Sequence, residues 1–267
     1  MSEFSVFSEW VPLGTELPLV VSIPHTGTRV PEEIAANFAS TAMRELPNTD
    51  WHLHQLYNFL PELGVRVIHA NYSRFVVDLN RPPEGGSLYP GRFETGLVPT
   101  QTFDGESIWE QAPDEIAIEE RRRRYHAPYH ARLEEMLAET RAKFGRAVLI
   151  DAHSIRSAAT LISDELVNDI YLGNQEGATC GEWLIGELEQ GFVGHDLKVV
   201  RNHPFKGGYI TRHYGAMDNV EACQIEMAQR VYMDEDDPQH GPDHDRFDAT
   251  RQILRRVIGG VIARLAD

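Results

Sequence analysis

Ala147-Val148-Leu149-Ile150-Asp151-Ala152-His153-Ser154 is the stretch whose reading decides the fold. Its four leading apolar residues form a short continuous run of the kind a buried strand requires, so Ala147 to Ile150 is read as a core strand. It stops in two groups able to bind metal or protons, Asp151 and His153. Upstream, a helical pattern runs from about Pro113 to Lys143 and Gly145 closes it. Downstream, the alternation repeats: a strand near Asp169 to Leu172, a helix near Thr179 to Gln190, and a strand near Lys198 to Arg201.

The N-terminal part has the same grammar. Leu17 to Ile23 reads as a strand ending in Pro24-His25-Thr26-Gly27, and a helix is expected from about Asp50 to Leu63, with Gly64 as its stop. Val65 to Ala70 and Phe75 to Leu79 are expected strands, the second halted by Asn80-Arg81-Pro82-Pro83 because proline cannot continue a ladder. The stretch from Glu84 to about Gln111 is rich in Gly, Pro, Ser and Thr and reads as a long loop, the kind that tends to carry function. A glycine-rich loop, Lys206 to Gly215, leads to a last strand at about Val220 to Met227 and a terminal helix from about Asp243 to Leu265. Alternating strands and helices predict a three-layer α/β sandwich with a mixed, mostly parallel central sheet, as one domain over residues 1–267.

Composition narrows the function. The 267 residues carry a formal net charge of −16, which repels nucleic acid and anionic membrane alike. The dense basic run Arg121 to Arg124 lies in a Glu-rich helical pattern and reads as a solvated face. No apolar stretch approaches the roughly 20 residues that span a bilayer, and the N-terminus lacks a signal pattern, so the expectation is a soluble, unprocessed, cytoplasmic protein. Cys180 and Cys223 are the only cysteines, too few for a disulfide framework or a thiolate metal cluster.

In an open α/β sheet, ligands bind outside the carboxyl ends of the strands. His25, Asn80 with Arg81, and His153 follow three expected strands, and Glu226 lies near the end of the last. Two neutral imidazoles and a carboxylate suit zinc, with a fourth position left for water whose pKa falls towards about 7. His25 and His153 supply the imidazoles. Asp50 is chosen as the carboxylate, with His54, one helical turn later on the same face, as the competing ligand. Taken singly, each has a plainer reading: a loop-stabilising histidine, or an acid favoured at a helix start. Asp151 reads as a group that orients a ligand or a turn. Glu226 in an apolar strand needs either a cation or a raised pKa. Arg74, Arg81 and Arg212 lie close to these strand ends or in the glycine-rich loop, where a guanidinium fork matches a substrate carboxylate or a structural salt bridge.

Seven segments in order, Ser22 to His25, Thr49-Asp50-Trp51, Ser73 to Pro82, Leu88-Tyr89-Pro90-Gly91, Asp151 to Ser154, Lys206 to Gly215 and Gln224-Ile225-Glu226, closely resemble the N-formylglutamate amidohydrolase family. They span most of the chain. The resemblance implies an amidohydrolase acting on a linear amide, a deformylase that cleaves N-formyl-L-glutamate to formate and L-glutamate in histidine degradation. It also implies a fold similar to the zinc carboxypeptidases, a phosphorylase/hydrolase-like sandwich. By that likeness His153 matches a metal histidine, Asn80 and Arg81 a carboxylate grip, and Glu226 a catalytic glutamate on a late strand. One departure stands out. The first carboxypeptidase histidine precedes a metal-binding glutamate by three residues, whereas Thr28 stands at that distance from His25.

The mechanism expected on this basis holds one divalent ion, Zn2+ by default, on His25, Asp50 and His153, with Glu226 as general base. Arg74 is assigned to the developing oxyanion, Asn80 and Arg81 to the α-carboxylate, and Arg212 with Tyr209 to the side-chain carboxylate, the arginine roles being interchangeable. Gly207 and Gly208 read equally as a hinge for loop closure or as a tight turn. The partner is a small anionic substrate. Two rival readings remain: a related metal hydrolase of another N-acyl amino acid or short peptide, and a non-catalytic binding protein of the same fold.

Overall fold

Seven strands form one mixed sheet in the order β1-β3-β2-β4-β7-β5-β6. The strands are β1 (Phe7–Trp10), β2 (Leu19–Ile23), β3 (Arg66–Ala70), β4 (Ala147–Ile155), β5 (Ile170–Gly173), β6 (Val199–Arg201) and β7 (Val220–Ala228). The central four, β3, β2, β4 and β7, are mutually parallel, while β1 and β5 run antiparallel to their inner neighbours. The computed structural model describes residues 5–86, 94–159, 161–162 and 166–266, so the Leu88-Tyr89-Pro90-Gly91 motif lies outside the described residues.

Helices cover both faces, as the alternation of elements requires, and a short α1 (Glu32–Ala35) follows β2. On one side, α5 (Glu182–Val193) and α7 (Asp245–Ala266) bury Leu184, Leu188, Leu254, Val257 and Ile258 against Val21, Val148, Ile150 and Ile225. On the other, α4 (Ala127–Phe144) and α6 (Tyr209–Gly215) bury Tyr129, Leu133, Met136, Ile210 and Tyr214 against Val20, Leu149 and Ala222. The result is the expected three-layer sandwich. Among the described residues, no helix is long and apolar enough to cross a membrane.

Side-chain parity along β4 and β7 then positions the site. Successive residues of a strand point to opposite faces. The alternation that sends Val148, Ile150 and Ala152 into the α5/α7 core sends Ala147 and Leu149 to the other face. Continued past the end of that second core, it places Asp151 and His153 on the same side as Leu149. In β7, paired in register with His153 opposite Glu226, the same rule places Gln224 and Glu226 on the face of Ala222. β4 therefore extends five residues beyond the expected Ile150, and His153 lies within the strand.

Three expected elements differ. Phe75 to Leu79 forms no strand: the Val76 amide turns back to the Ser73 carbonyl, Arg74 pairs with Asp78 four residues on, and the Arg121 guanidinium caps the carbonyls of Phe75 and Val76. The expected helix over 50–63 survives as two short pieces, α2 (Leu53–Leu56) and a 3-10 turn, Leu60–Leu63, because His52 takes a left-handed backbone with φ of 58°. The glycine-rich segment becomes helix α6 from Tyr209 onwards. The long helix also divides: α3 (Glu115–Arg121), a π-helical turn (Arg122–His126), then α4.

Leu149 is fully buried at the centre of the sheet. Leu149→Ala should destabilise the protein by about 2–5 kcal/mol, lost transfer energy plus the residual cavity, with the denaturation midpoint shifted and the slope unchanged. Urea unfolding followed by circular dichroism checks it.

Candidate metal centre and active site

A cavity of about 120 Å3 opens at the carboxyl ends of β2, β4 and β7. His25, Asp50, Arg74, Asn80, Arg81, His153 and Glu226 all line it, together with Phe103, Ile155, Ile162 and Phe205. The sheet supplies His153, Ile155 and Glu226; irregular segments supply the others. Asp50 is brought in by its own backbone, whose N–H donates to the His25 carbonyl at 3.1 Å. Its neighbours are pinned from the end of β7: Gln229 Nε2 donates to the Thr49 carbonyl at 2.9 Å, and the Tyr232 hydroxyl to the Trp51 carbonyl at 2.8 Å. Gly27 lets the His25 loop lie flat on its neighbour, since a Cβ there would sit 2.4 Å from the Tyr72 carbonyl oxygen.

His25, Asp50 and His153, all buried, can each offer one ligand atom, and those atoms lie within 4.8 Å of one another. Asp50 Oδ2 is 3.2 Å from His153 Nδ1 and 3.8 Å from His25 Nδ1. The far side of each ring meets a carboxylate: His25 Nε2 lies 2.7 Å from Asp78 Oδ1, and His153 Nε2 lies 3.0 Å from Asp151 Oδ2. A proton kept on each Nε2 by those carboxylates leaves the two Nδ1 lone pairs facing Asp50, the arrangement that orients metal-binding imidazoles. Among the described residues His25 Nδ1 is buried with no hydrogen-bond partner, the condition expected of a nitrogen reserved for an ion. The donor set fits a divalent metal. His54 is not part of it: its Nδ1 bonds the Thr26 hydroxyl at 2.8 Å and its ring stacks on His69.

Burial and neighbouring charge act on these groups in different directions. Burial alone would raise the Asp50 carboxyl, but the His153 hydrogen bond and the charges of His25, His153 and Arg74 hold it below its ordinary value. Asp78 is held well below, Arg74 and His25 overcoming its burial. Burial pushes the His25 imidazole down, assisted by Arg74, which keeps it neutral and able to ligate. His153 goes the other way, raised well above the usual value despite burial because Asp151, Asp50 and Glu226 surround it. Glu226 is pushed up to about 8, chiefly by burial, with Asp50 and Asp151 adding to the effect and His153 and Arg74 opposing it. Its Oε2 accepts a hydrogen bond from Gln224 Nε2 at 3.2 Å.

The arginines differ in their surroundings. Arg74 is buried, donates to Asp78 Oδ2 at 2.6 Å, lies 3.9 Å from Asp50 Oδ1 and stacks over Phe103. Arg81 lines the mouth, steadied by Nε on the Thr95 carbonyl and Nη1 on the Asn80 carbonyl. Asn80 is more structural than expected: Oδ1 accepts the Ile210 N–H at 2.8 Å, and Nδ2 packs 3.0 Å from His153 Nε2. Gly208 is small for the same reason, as a Cβ would meet the Asn80 amide at 2.3 Å, so close approach accounts for it without a hinge.

Arg212 and Tyr209 are a correction. Helix α6 buries Ile210, Thr211 and Tyr214, so residues 209, 212 and 213 face away; Arg212 is exposed, and the Tyr209 ring stacks on His213 at 4.9 Å. Neither lines the cavity. Asp78 is the residue sequence reasoning passed over. Its signal was an acid inside an apolar run, the same signal that singled out Glu226, and reading 75–79 as a strand concealed it.

Known proteins share both the sequence and the fold that carry this geometry. The sequence profile of the N-formylglutamate amidohydrolase family matches residues 17–233. A curated N-formylglutamate deformylase of Pseudomonas aeruginosa is 42% identical over 253 residues, covering 92% of this chain and 93% of the relative. Another, of Pseudomonas putida, is 40% identical over 256 residues with the same coverage of 92% and 93%. The crystal structure of N-formylglutamate amidohydrolase from Ralstonia eutropha superposes with a TM-score of 0.83 at 24% identity, covering 98% of this chain and 99% of that one, a likeness of fold.

Asp50→Asn should weaken zinc binding by roughly 10-fold or more, while His54→Gln leaves it unchanged. Competition with a chromogenic chelator measures both, and equal losses in the two variants would remove Asp50 from the ligand set.

Proposed function

The chain belongs to the N-formylglutamate amidohydrolase family, and from that premise we propose that it hydrolyses N-formyl-L-glutamate to formate and L-glutamate, a cytoplasmic step of histidine degradation. The observation that carries the chemistry is the convergence of two imidazole Nδ1 atoms and one carboxylate in a buried cavity beside Glu226. A binding protein has no use for that combination, which favours an enzyme over the non-catalytic reading.

His25, Asp50 and His153 would hold one divalent ion, with Zn2+ favoured by a donor set of two nitrogens and one oxygen. Such an ion supplies Lewis acidity towards the formyl carbonyl and a water acidic enough to attack at neutral pH.

The protein's own groups do the rest. Glu226 takes a proton from the attacking water as its oxygen bonds the formyl carbon, then delivers that proton to the amide nitrogen as the C–N bond breaks. Formate and a free α-amine result. A carboxyl held near neutrality suits both halves of that cycle. Arg74, locked by Asp78, faces the cavity with a fixed positive charge and stabilises the oxyanion that develops on the formyl oxygen. Arg81, with Asn80 beside it, holds the α-carboxylate; its guanidinium is pre-set by two backbone carbonyls, which lowers the entropy of gripping substrate. Phe103, Ile162 and Phe205 wall the cavity with apolar surface against which the substrate methylenes lie and from which water is excluded.

Formate release from N-formyl-L-glutamate, with N-formyl-L-aspartate and N-acetyl-L-glutamate as comparisons, tests the reading directly. Activity is expected to vanish on chelation and to return with zinc. Glu226→Gln should retain metal and substrate while losing roughly 100-fold or more in kcat, the scale of general-base removal. Full turnover in that variant, or after proven stripping of the metal, would overturn the mechanism.

A further inference from the structure

The irregular segment 73–81 carries Arg74, Asp78, Asn80 and Arg81, and among the described residues no neighbouring strand satisfies its carbonyls. One helix does. Arg121 at the end of α3 caps Phe75 and Val76, His126 Nε2 lies 3.0 Å from the Arg81 carbonyl, and His130 Nε2 lies 2.8 Å from the Leu79 carbonyl. A carbonyl only accepts, so both imidazoles carry their proton on Nε2 and donate it. The spacing of these donors, five residues and then four, explains the π-helical turn between α3 and α4. One extra residue in Arg122–His126 brings Arg121 onto the face that His126 and His130 already share.

The two imidazoles are themselves braced. Their rings stack with centroids 4.1 Å apart, His130 Nδ1 meets the Tyr214 hydroxyl at 2.9 Å, and Tyr209 packs against the pair at 5.3 and 6.2 Å. Burial holds both histidines below their usual pKa, so they serve as neutral donors. This is where Tyr209 belongs: behind the segment, not in the cavity. Between the two clamped carbonyls lies Asn80, packed against His153 on one side and bonded to the start of α6 on the other.

We propose that His126 and His130 are positioning residues for substrate binding, an imidazole clamp on the Leu79 and Arg81 carbonyls that fixes the Asn80-Arg81 carboxylate grip over the metal centre. The inference rests on the role of Arg81 given above and extends it to two residues that touch no substrate. Loosening the clamp lets Arg81 swing and weakens a contact made equally in ground and transition states, which appears in KM and leaves kcat in place.

The test compares His126→Phe and His130→Phe, which keep a ring but lose the donor, with His126→Gln and His130→Gln, which keep an N–H at nearly the same reach. Each zinc-loaded variant is assayed for KM and kcat with N-formyl-L-glutamate, for L-glutamate affinity by calorimetry, and for bound zinc and melting temperature. Phe variants should raise KM and weaken L-glutamate binding by about tenfold, with kcat within about threefold of wild type and zinc at full occupancy. Gln variants should recover most of that loss. KM and L-glutamate affinity unchanged in a folded Phe variant would overturn the proposal, as would a fall in kcat and zinc content at constant KM. Should a Phe variant fail to fold, the Gln variant at that position decides: KM and affinity near wild type support the clamp, and a loss as large as tenfold despite the retained donor overturns it. The wild-type rate reports separately on the substrate itself: a wild type that binds L-glutamate but leaves the formyl compound intact overturns the activity, and the affinity ratios still judge the clamp.

Discussion

Four carboxylates, Asp50, Asp78, Asp151 and Glu226, lie buried around one small cavity, and Arg74 is the guanidinium buried among them. Ionised carboxylates are not tolerated in such a place without partners, and most of the local architecture follows from supplying them. Asp78 is satisfied most fully, by Arg74, His25, the Asn80 amide and the Thr95 hydroxyl. Asp50 and Asp151 share His153 between them. Glu226 has Gln224 and a raised pKa. Among the described residues His25 Nδ1 has no hydrogen-bond partner, and a dication held there would complete that nitrogen and offset the carboxylate charge.

The sheet and the loops contribute differently to this arrangement. Parity in β4 and β7 leaves no freedom in where His153 and Glu226 point: a one-residue slip would send both into the α5/α7 core and bring apolar residues into the cavity. The reacting groups therefore inherit the rigidity of the central strands. The segment 73–81 has no ladder to set it. Its conformation depends on side-chain hydrogen bonds from a helix, on the internal Arg74–Asp78 pair, and on the Asn80 side chain packed between His153 and α6.

That difference explains what could be read from the sequence. Layer order, the parallel centre of the sheet and the residues at strand ends followed from apolar runs and their stops, because hydrophobic burial decides those features. The three residues that could hold a metal ion were singled out from similar cues, His25 and His153 after apolar runs and Asp50 as an acid at an expected helix start, and the fold brings them together, with His153 inside β4. Failures cluster where polar contacts override periodicity. Phe75 to Leu79 has strand composition, yet Asp78 attracts four partners and curls the chain. Arg212 looked well placed in a glycine-rich loop, but Ile210, Thr211 and Tyr214 supply enough of an apolar face to make a helix and turn the arginine to solvent. Distant tertiary partners decide such cases, and no local window contains them.

A division of labour follows between chemistry and recognition. The residues proposed to activate water and move protons are fixed by strands and by buried ion pairs. The residues proposed to grip the carboxylate hang on a segment braced from outside by α3, the π-helical turn and α4. A π-helical turn is less stable than continuous α-helix and persists only where other interactions offset the shift in register. Here the offset comes from hydrogen bonds to carbonyls that would otherwise be buried without partners, and each such loss costs about 1–3 kcal/mol. The distortion in the helix and the irregularity of the segment are therefore one feature: each makes the other energetically tolerable, and together they present Arg81 at the mouth of a cavity whose floor the sheet has already built.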